Sequence, residues 1–191
     1  MRACELVEIN ASDELTVGRR IQKYFTDRGY KHAGEGRDQI AFKSPRGTIV
    51  KILGTGEQER QDIVKNYVSF FVRNQRNPYY PRIYSTGDFT VGGKTYFVYE
   101  MELLGQVSNE SSVMEYLEDL MDATARGYAN AFQQNKPMPA GLNSGEVYGL
   151  LQATEDMMEV LGGHAPLDLR SIENLGRRSD GHIVIMDPFS L

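Results

Sequence analysis

Apolar residues recur at roughly helical spacing between Ser12 and Arg28, through Leu15, Val17, Ile21, Tyr24 and Phe25. Ser12 or Asn10 suits the cap position, and Gly29 stands where a helix should stop. The pattern then changes to short extended runs. Tyr30–Ala33 leads into Gly34-Glu35-Gly36, and Gln39–Lys43 follows. The turn signal Ser44-Pro45-Arg46-Gly47 separates the latter from Thr48–Leu53, the most strand-like run of the first half. Helical periodicity returns from Glu57 to Asn74, with Ile63, Tyr67, Phe70 and Phe71 on one face. Arg82–Thr86 and Lys94–Met101 predict two more strands around Val91-Gly92-Gly93. The first half therefore predicts a five-stranded antiparallel sheet with one inserted helix.

The second half is patterned differently. Ser112–Gln134 and Ser144–Leu161 are two helical stretches divided by the loop Lys136-Pro137-Met138-Pro139. Gly162-Gly163 ends the second. The tail carries two short apolar runs, Ile172–Leu175 and His182–Met186, around the turn Ser179-Asp180-Gly181, which predicts a small hairpin. Strands followed by helices make this an α+β chain. No internal repeat or low-complexity tract interrupts it.

Composition narrows the class. The 191 residues are 40% hydrophobic and 25% charged, ordinary for one globular domain or two small lobes. Cys4 is the sole cysteine, so no internal disulfide is expected. Residues 1–10 lack the apolar core of a signal peptide, and no run of about 18 apolar residues predicts a membrane span, so a cytoplasmic protein is expected. A net charge of −5 argues against nucleic acid as a partner, and Arg177-Arg178, the nearest basic cluster, reads as a solvated turn. His32, His164 and His182 are scattered without zinc-ligand spacing, and Met114, Met121, Met157 and Met158 read as core filler.

The chemistry-bearing residues are informative through their order. A glycine turn comes first, then a strand lysine and an acidic helix, and finally an Asp…Asn loop and an Asp after an apolar run. Singly, each has a plain reading: Lys51 an exposed strand lysine, Gly34-Glu35-Gly36 a connection, Asp168 a cap, Asn174 a turn residue, Asp187 a strand exit. Together they are what phosphoryl transfer uses. Backbone amides at a glycine turn approach phosphates, and a lysine neutralises them. An Asn and an Asp hold Mg²⁺, and a further Asp takes a hydroxyl proton.

Leu167-Asp168-Leu169-Arg170-Ser171-Ile172-Glu173-Asn174, followed by Ile183-Val184-Ile185-Met186-Asp187-Pro188-Phe189, resembles the catalytic and metal-binding loops of the protein-kinase-like superfamily. The chain is most similar to the short serine/threonine kinase-like proteins of tailed bacteriophages, which read Asp-Pro-hydrophobic where eukaryotic kinases read Asp-Phe-Gly. Tyr30–Gly36, Ile40-Ala41-Phe42 and Val50-Lys51-Ile52 fit that family's first three strands. The resemblance implies a two-lobe fold: an N-terminal helical extension (1–29), an N-lobe with a five-stranded antiparallel sheet and one helix (30–102), and a reduced helical C-lobe (103–191).

It also implies roles. Gly34, Gly36 and Lys51 would meet the phosphates of ATP, and Glu59 would pair with Lys51, with Glu57 and Asp62 as alternatives. Asn174 and Asp187, thirteen positions apart as in kinases, would hold Mg²⁺, and Asp168 would orient and deprotonate the acceptor hydroxyl. Tyr96–Glu102 would form the link between lobes, begun by Glu100 or Glu102, with its backbone against adenine. The departures are specific. Asp168 lies six residues before Asn174 where the family has five, Pro166 and Leu167 replace the usual His and Arg, and Gly34 and Gly36 are two glycines of the usual three. The lost Arg implies no control by a phosphorylated activation loop, and a chain stopping four residues after Asp187 implies no peptide-gripping helices. Three functions follow as expectations: a serine/threonine kinase acting on host or phage proteins in the host cytoplasm, a catalytically weak or inactive kinase-fold protein that binds a host partner, or a small-molecule phosphotransferase.

Overall fold

The computed structural model of the chain describes residues 17–35, 39–53, 58–108, 110–127, 129–160 and 174–186, with only the backbone described at 58–61 and 125. Two compact units are present, Met1–Val72 with Arg82–Leu103, and Arg73–Pro81 with Leu104–Leu191.

In the first unit, α1 (Val17–Thr26) ends at Gly29, whose φ of 80° suits only glycine, and the chain then enters the sheet. The strands are β1 (Lys31–Glu35), β2 (Gln39–Lys43), β3 (Thr48–Leu53), β4 (Ile83–Val91) and β5 (Lys94–Glu102). Their order is β1-β2-β3-β5-β4, with every neighbouring pair antiparallel. The helix α2 (Gln58–Arg73) falls between β3 and β4 in sequence. The five-stranded antiparallel sheet with one inserted helix is thus as the sequence predicts, and β2 and β3 have the predicted bounds.

Residues directly opposite each other on antiparallel strands share a face, and successive residues alternate. Ile40, Phe42, Val50, Ile52, Phe89, Val91, Tyr96 and Val98 form one face and are buried with Ile21 and Phe25 of α1. The Phe25 and Phe42 rings stack at 4.7 Å. α2 covers the other face: the Tyr67 hydroxyl meets that of Tyr99 at 2.8 Å, and the Lys65 ammonium lies over the Phe97 ring. The sheet therefore has two distinct apolar layers, one for each helix.

In the second unit, α3 (Ser111–Ala125), α4 (Ala129–Asn135) and α5 (Ser144–Val160) bury Leu117, Leu120, Met121, Leu150, Leu151 and Met157. The single helix predicted over Ser112–Gln134 is two helices. Gly127, at φ 79°, accepts the left-handed conformation, and its amide donates to Thr124 O, ending α3 there. Of the four methionines expected in the core, Met121 and Met157 are fully buried and Met114 and Met158 partly so. The hairpin of β6 (Leu175–Arg177) and β7 (Ile183–Ile185) turns through Asp180 and Gly181, as predicted, although its first strand begins later than the apolar run at Ile172–Leu175 suggests. No helix among the described residues is long and apolar enough to cross a membrane.

The Phe25–Phe42 stack sits at the centre of the first layer, and Phe42 has no exposed surface. Phe42→Ala is expected to lower unfolding free energy by about 3–5 kcal/mol through lost transfer energy and a residual cavity. Guanidinium denaturation followed by circular dichroism checks this.

Candidate functional site

The residues singled out in the sequence divide between the two units. In the first, Lys51 occupies the middle of β3, half-buried, opposite Ala41 on β2 and Tyr99 on β5. Its register assigns it to the α2 face, shared with Tyr99. Glu59 belongs to the first turn of α2, where only the backbone is described. Gly34 lies inside β1 rather than in the turn after it, opposite Ala41 beside a bulge between His32 and Gly34. A Cβ at Gly34 would meet nothing within 4 Å, so the backbone there borders open space. Gly36 and Glu57 lie outside the described residues, and Asp62 is exposed on α2.

Tyr96–Glu102, expected as a link, is strand throughout, and the unit boundary falls after Leu103. Glu100 sits opposite both Val50 and Ser85, so its backbone lies within the ladder and its side chain is on the α1 face, away from Lys51. Its carboxylate is held by the hydroxyls of Thr48 and Ser85. Glu102 is the last residue of β5 and is buried, its Oε1 accepting the Arg82 amide at 2.9 Å. Of the two, Glu102 is the one next to the boundary.

In the second unit Asn174 is the one candidate among the described residues, at the start of the hairpin. Asn174, half-buried, immediately precedes β6, and its carbonyl accepts the Met186 amide at 2.7 Å. That bond extends the β6–β7 ladder by one pair and ties position 174 to the residue before Asp187. Asp168 and Asp187 themselves lie outside the described residues. No group of three metal-ligating side chains occurs among the described residues.

The hairpin is braced by side chains that the sequence reading missed. Arg177-Arg178 is not a solvated turn. Arg178 is buried, and its guanidinium donates to Pro78 O at 2.8 Å and Tyr80 O at 2.9 Å. Arg177 Nε donates to Val107 O at 2.7 Å, and its backbone pairs with Gly105. A guanidinium among carbonyl oxygens is well satisfied because each N–H meets an acceptor of opposite partial charge. Glu146, buried at the start of α5, accepts the Ile183 amide at 3.0 Å, while its own amide is capped by Asn143 Oδ1 at 2.7 Å. Tyr79 O accepts the Ile185 amide at 3.0 Å, and the Tyr80 hydroxyl donates to Ala153 O at 2.7 Å.

Two glycines make room. A Cβ at Gly149 would lie 2.2 Å from the Tyr79 hydroxyl oxygen, and one at Gly176 would lie 2.7 Å from Leu104 Cβ. Burial raises the pKa of the Tyr80 phenol, and the charge of Asp156 raises it further. Burial, with Glu146 nearby, also raises that of Tyr79. Basic residues flanking a turn look alike in sequence whether solvated or buried, so Arg178 left no signal. Glu146 left a weak one, three residues past Asn143 at a helix start.

Arg178→Ala is expected to cost about 2–5 kcal/mol, since two carbonyls lose a charged donor. Conservative loss of packing alone would cost much less, and a denaturation curve distinguishes them. Alkaline pH should act through Tyr80. Its folded pKa lies above the unfolded value of about 10, so its contribution is complete below that pH and is lost as pH climbs from there towards the folded value. Tyr80→Phe should therefore flatten, without abolishing, the fall in stability between about pH 10 and 11.5.

No protein-family model matches the chain, and no curated protein sequence does. Among solved structures, that of a microcompartment-associated aminopropanol kinase aligns with 88% of this chain and 68% of its own, at 12% identity and a TM-score of 0.45.

Proposed function

We propose that the protein is an ATP- and Mg²⁺-dependent phosphotransferase of the protein-kinase-like type. The observation that carries the reading is the hydrogen bond from the Met186 amide to the Asn174 carbonyl, which puts position 174 beside the residue that precedes Asp187. A carboxamide at 174 and a carboxylate at 187 would together suit one small oxygen-seeking cation. Mg²⁺ takes one or two protein oxygens and fills its octahedron with phosphate and water. Two ligands are therefore enough where a nucleotide supplies the rest.

Lys51 and Glu59 belong to the first unit. Lys51 would neutralise nucleotide phosphates and Glu59 would fix its ammonium, a reading supported by Lys51 occupying the sheet face that α2 covers. Open space beside the Gly34 backbone suits the approach of a phosphate, and adenine would meet backbone at the Glu102 end of β5. The metal, when bound, would offset the charge developing on the transferring phosphoryl group and its leaving oxygen. Asp168 would orient the acceptor hydroxyl and take its proton.

Asn174→Ala and Asp187→Ala are expected to abolish measurable Mg·ATP binding in calorimetric titration. Unchanged affinity in either variant overturns the proposed site. Asp168→Ala should reduce γ-phosphate transfer about 10²–10⁴-fold, the usual worth of a general base, and leave nucleotide affinity intact. The acceptor class follows from radiolabel transfer in lysate. Labelled protein supports the serine/threonine kinase, and labelled metabolites support the small-molecule enzyme. Tight Mg·ATP binding with no transfer supports the binding module.

A further inference from the structure

A cavity of about 260 Å³ opens on the α1 face of the first unit, on the side of the sheet away from Lys51. Its floor is Val50 and Val98, and its walls are the rings of Tyr24, Phe25, Tyr30 and Phe89. Glu100 and Ser85 border it from the sheet. Because Glu100 lies opposite both Val50 and Ser85, its carboxylate belongs to this apolar face. Two neutral hydroxyls, those of Thr48 and Ser85, are the partners of that carboxylate, and no cation pairs with it among the described residues.

The chemistry of the lining selects its occupant. A half-buried carboxylate beside aromatic rings is best complemented by an organic cation, whose charge meets the carboxylate and whose apolar body meets the rings. An inorganic cation would waste the aromatic walls. A neutral apolar ligand would leave Glu100 desolvated without a countercharge. The Arg28 guanidinium is already stacked 3.6 Å above the Tyr24 ring and donates to Tyr24 O, so it extends the wall instead of closing on Glu100. A cavity of about 150 Å³ already admits benzene, so 260 Å³ suits a single-ring amine with a short tail.

We infer that this cavity is a binding site for a small aromatic amine in its ammonium form, with Glu100 as the anionic anchor. The site is separate from the proposed nucleotide site, and its test reads binding without any phosphate transfer. Phenethylamine is the probe, and 2-phenylethanol is its neutral isostere. Titration of the wild-type chain followed by methyl resonances should shift Val50 and Val98 with the amine, at an affinity at least about tenfold above that of the alcohol. Glu100→Gln should bring the amine down to the affinity of the alcohol. Equal binding of amine and alcohol, shifts remote from Val50 and Val98, or no binding by the amine overturns the inference. The wild-type comparison stands alone if Glu100→Gln fails to fold. Binding that survives in a folded Glu100→Gln variant also overturns it.

Discussion

One backbone hydrogen bond, from the Met186 amide to the Asn174 carbonyl, closes the open end of the β6–β7 hairpin. A single such bond contributes only about 1 kcal/mol net, so it persists because its surroundings hold both strands. Arg178 ties the turn side of β6 to the carbonyls of Pro78 and Tyr80. Glu146 takes the first amide of β7, and Tyr79 takes the last. A three-residue strand pair would be marginal in isolation. Here α5 and the segment Arg73–Pro81 supply acceptors and packing for it.

The first unit solves a different problem, with two apolar layers on one sheet. Strand alternation divides Val50, Val98 and Glu100 from Lys51 and Tyr99, so each helix meets its own set of side chains. That division keeps the lysine of the proposed phosphate site away from the carboxylate of the proposed amine site. Neighbours in sequence, Val50 and Lys51, thereby serve separate surfaces.

Legibility followed local physics. β2 and β3 were readable because Ser44-Pro45-Arg46-Gly47 bounds them and their apolar residues alternate. β4 runs past its predicted end at Thr86 because Gly87 and Asp88 look like turn residues, yet an edge strand tolerates them. The break between α3 and α4 was written in Gly127, but apolar periodicity on both sides hid it. Arg178 was unreadable, since its carbonyl partners lie about a hundred positions away in the sequence. Order along the chain, not any single residue, is what singles out the candidate residues. Lys51 lies in the strand expected for it, whereas Gly34, expected in a turn, lies inside β1 because a glycine reads alike in either place.

The proposed function requires a divalent ion at the Asn174 end of the β6–β7 hairpin when nucleotide is present. Replacing Mg²⁺ by paramagnetic Mn²⁺ in the ATP-saturated protein tests this directly by amide relaxation. Leu175, Ile185 and Met186 are expected to broaden first, and to recover when excess Mg²⁺ displaces the Mn²⁺. Broadening centred on other residues, or none at the hairpin with ATP bound, contradicts it.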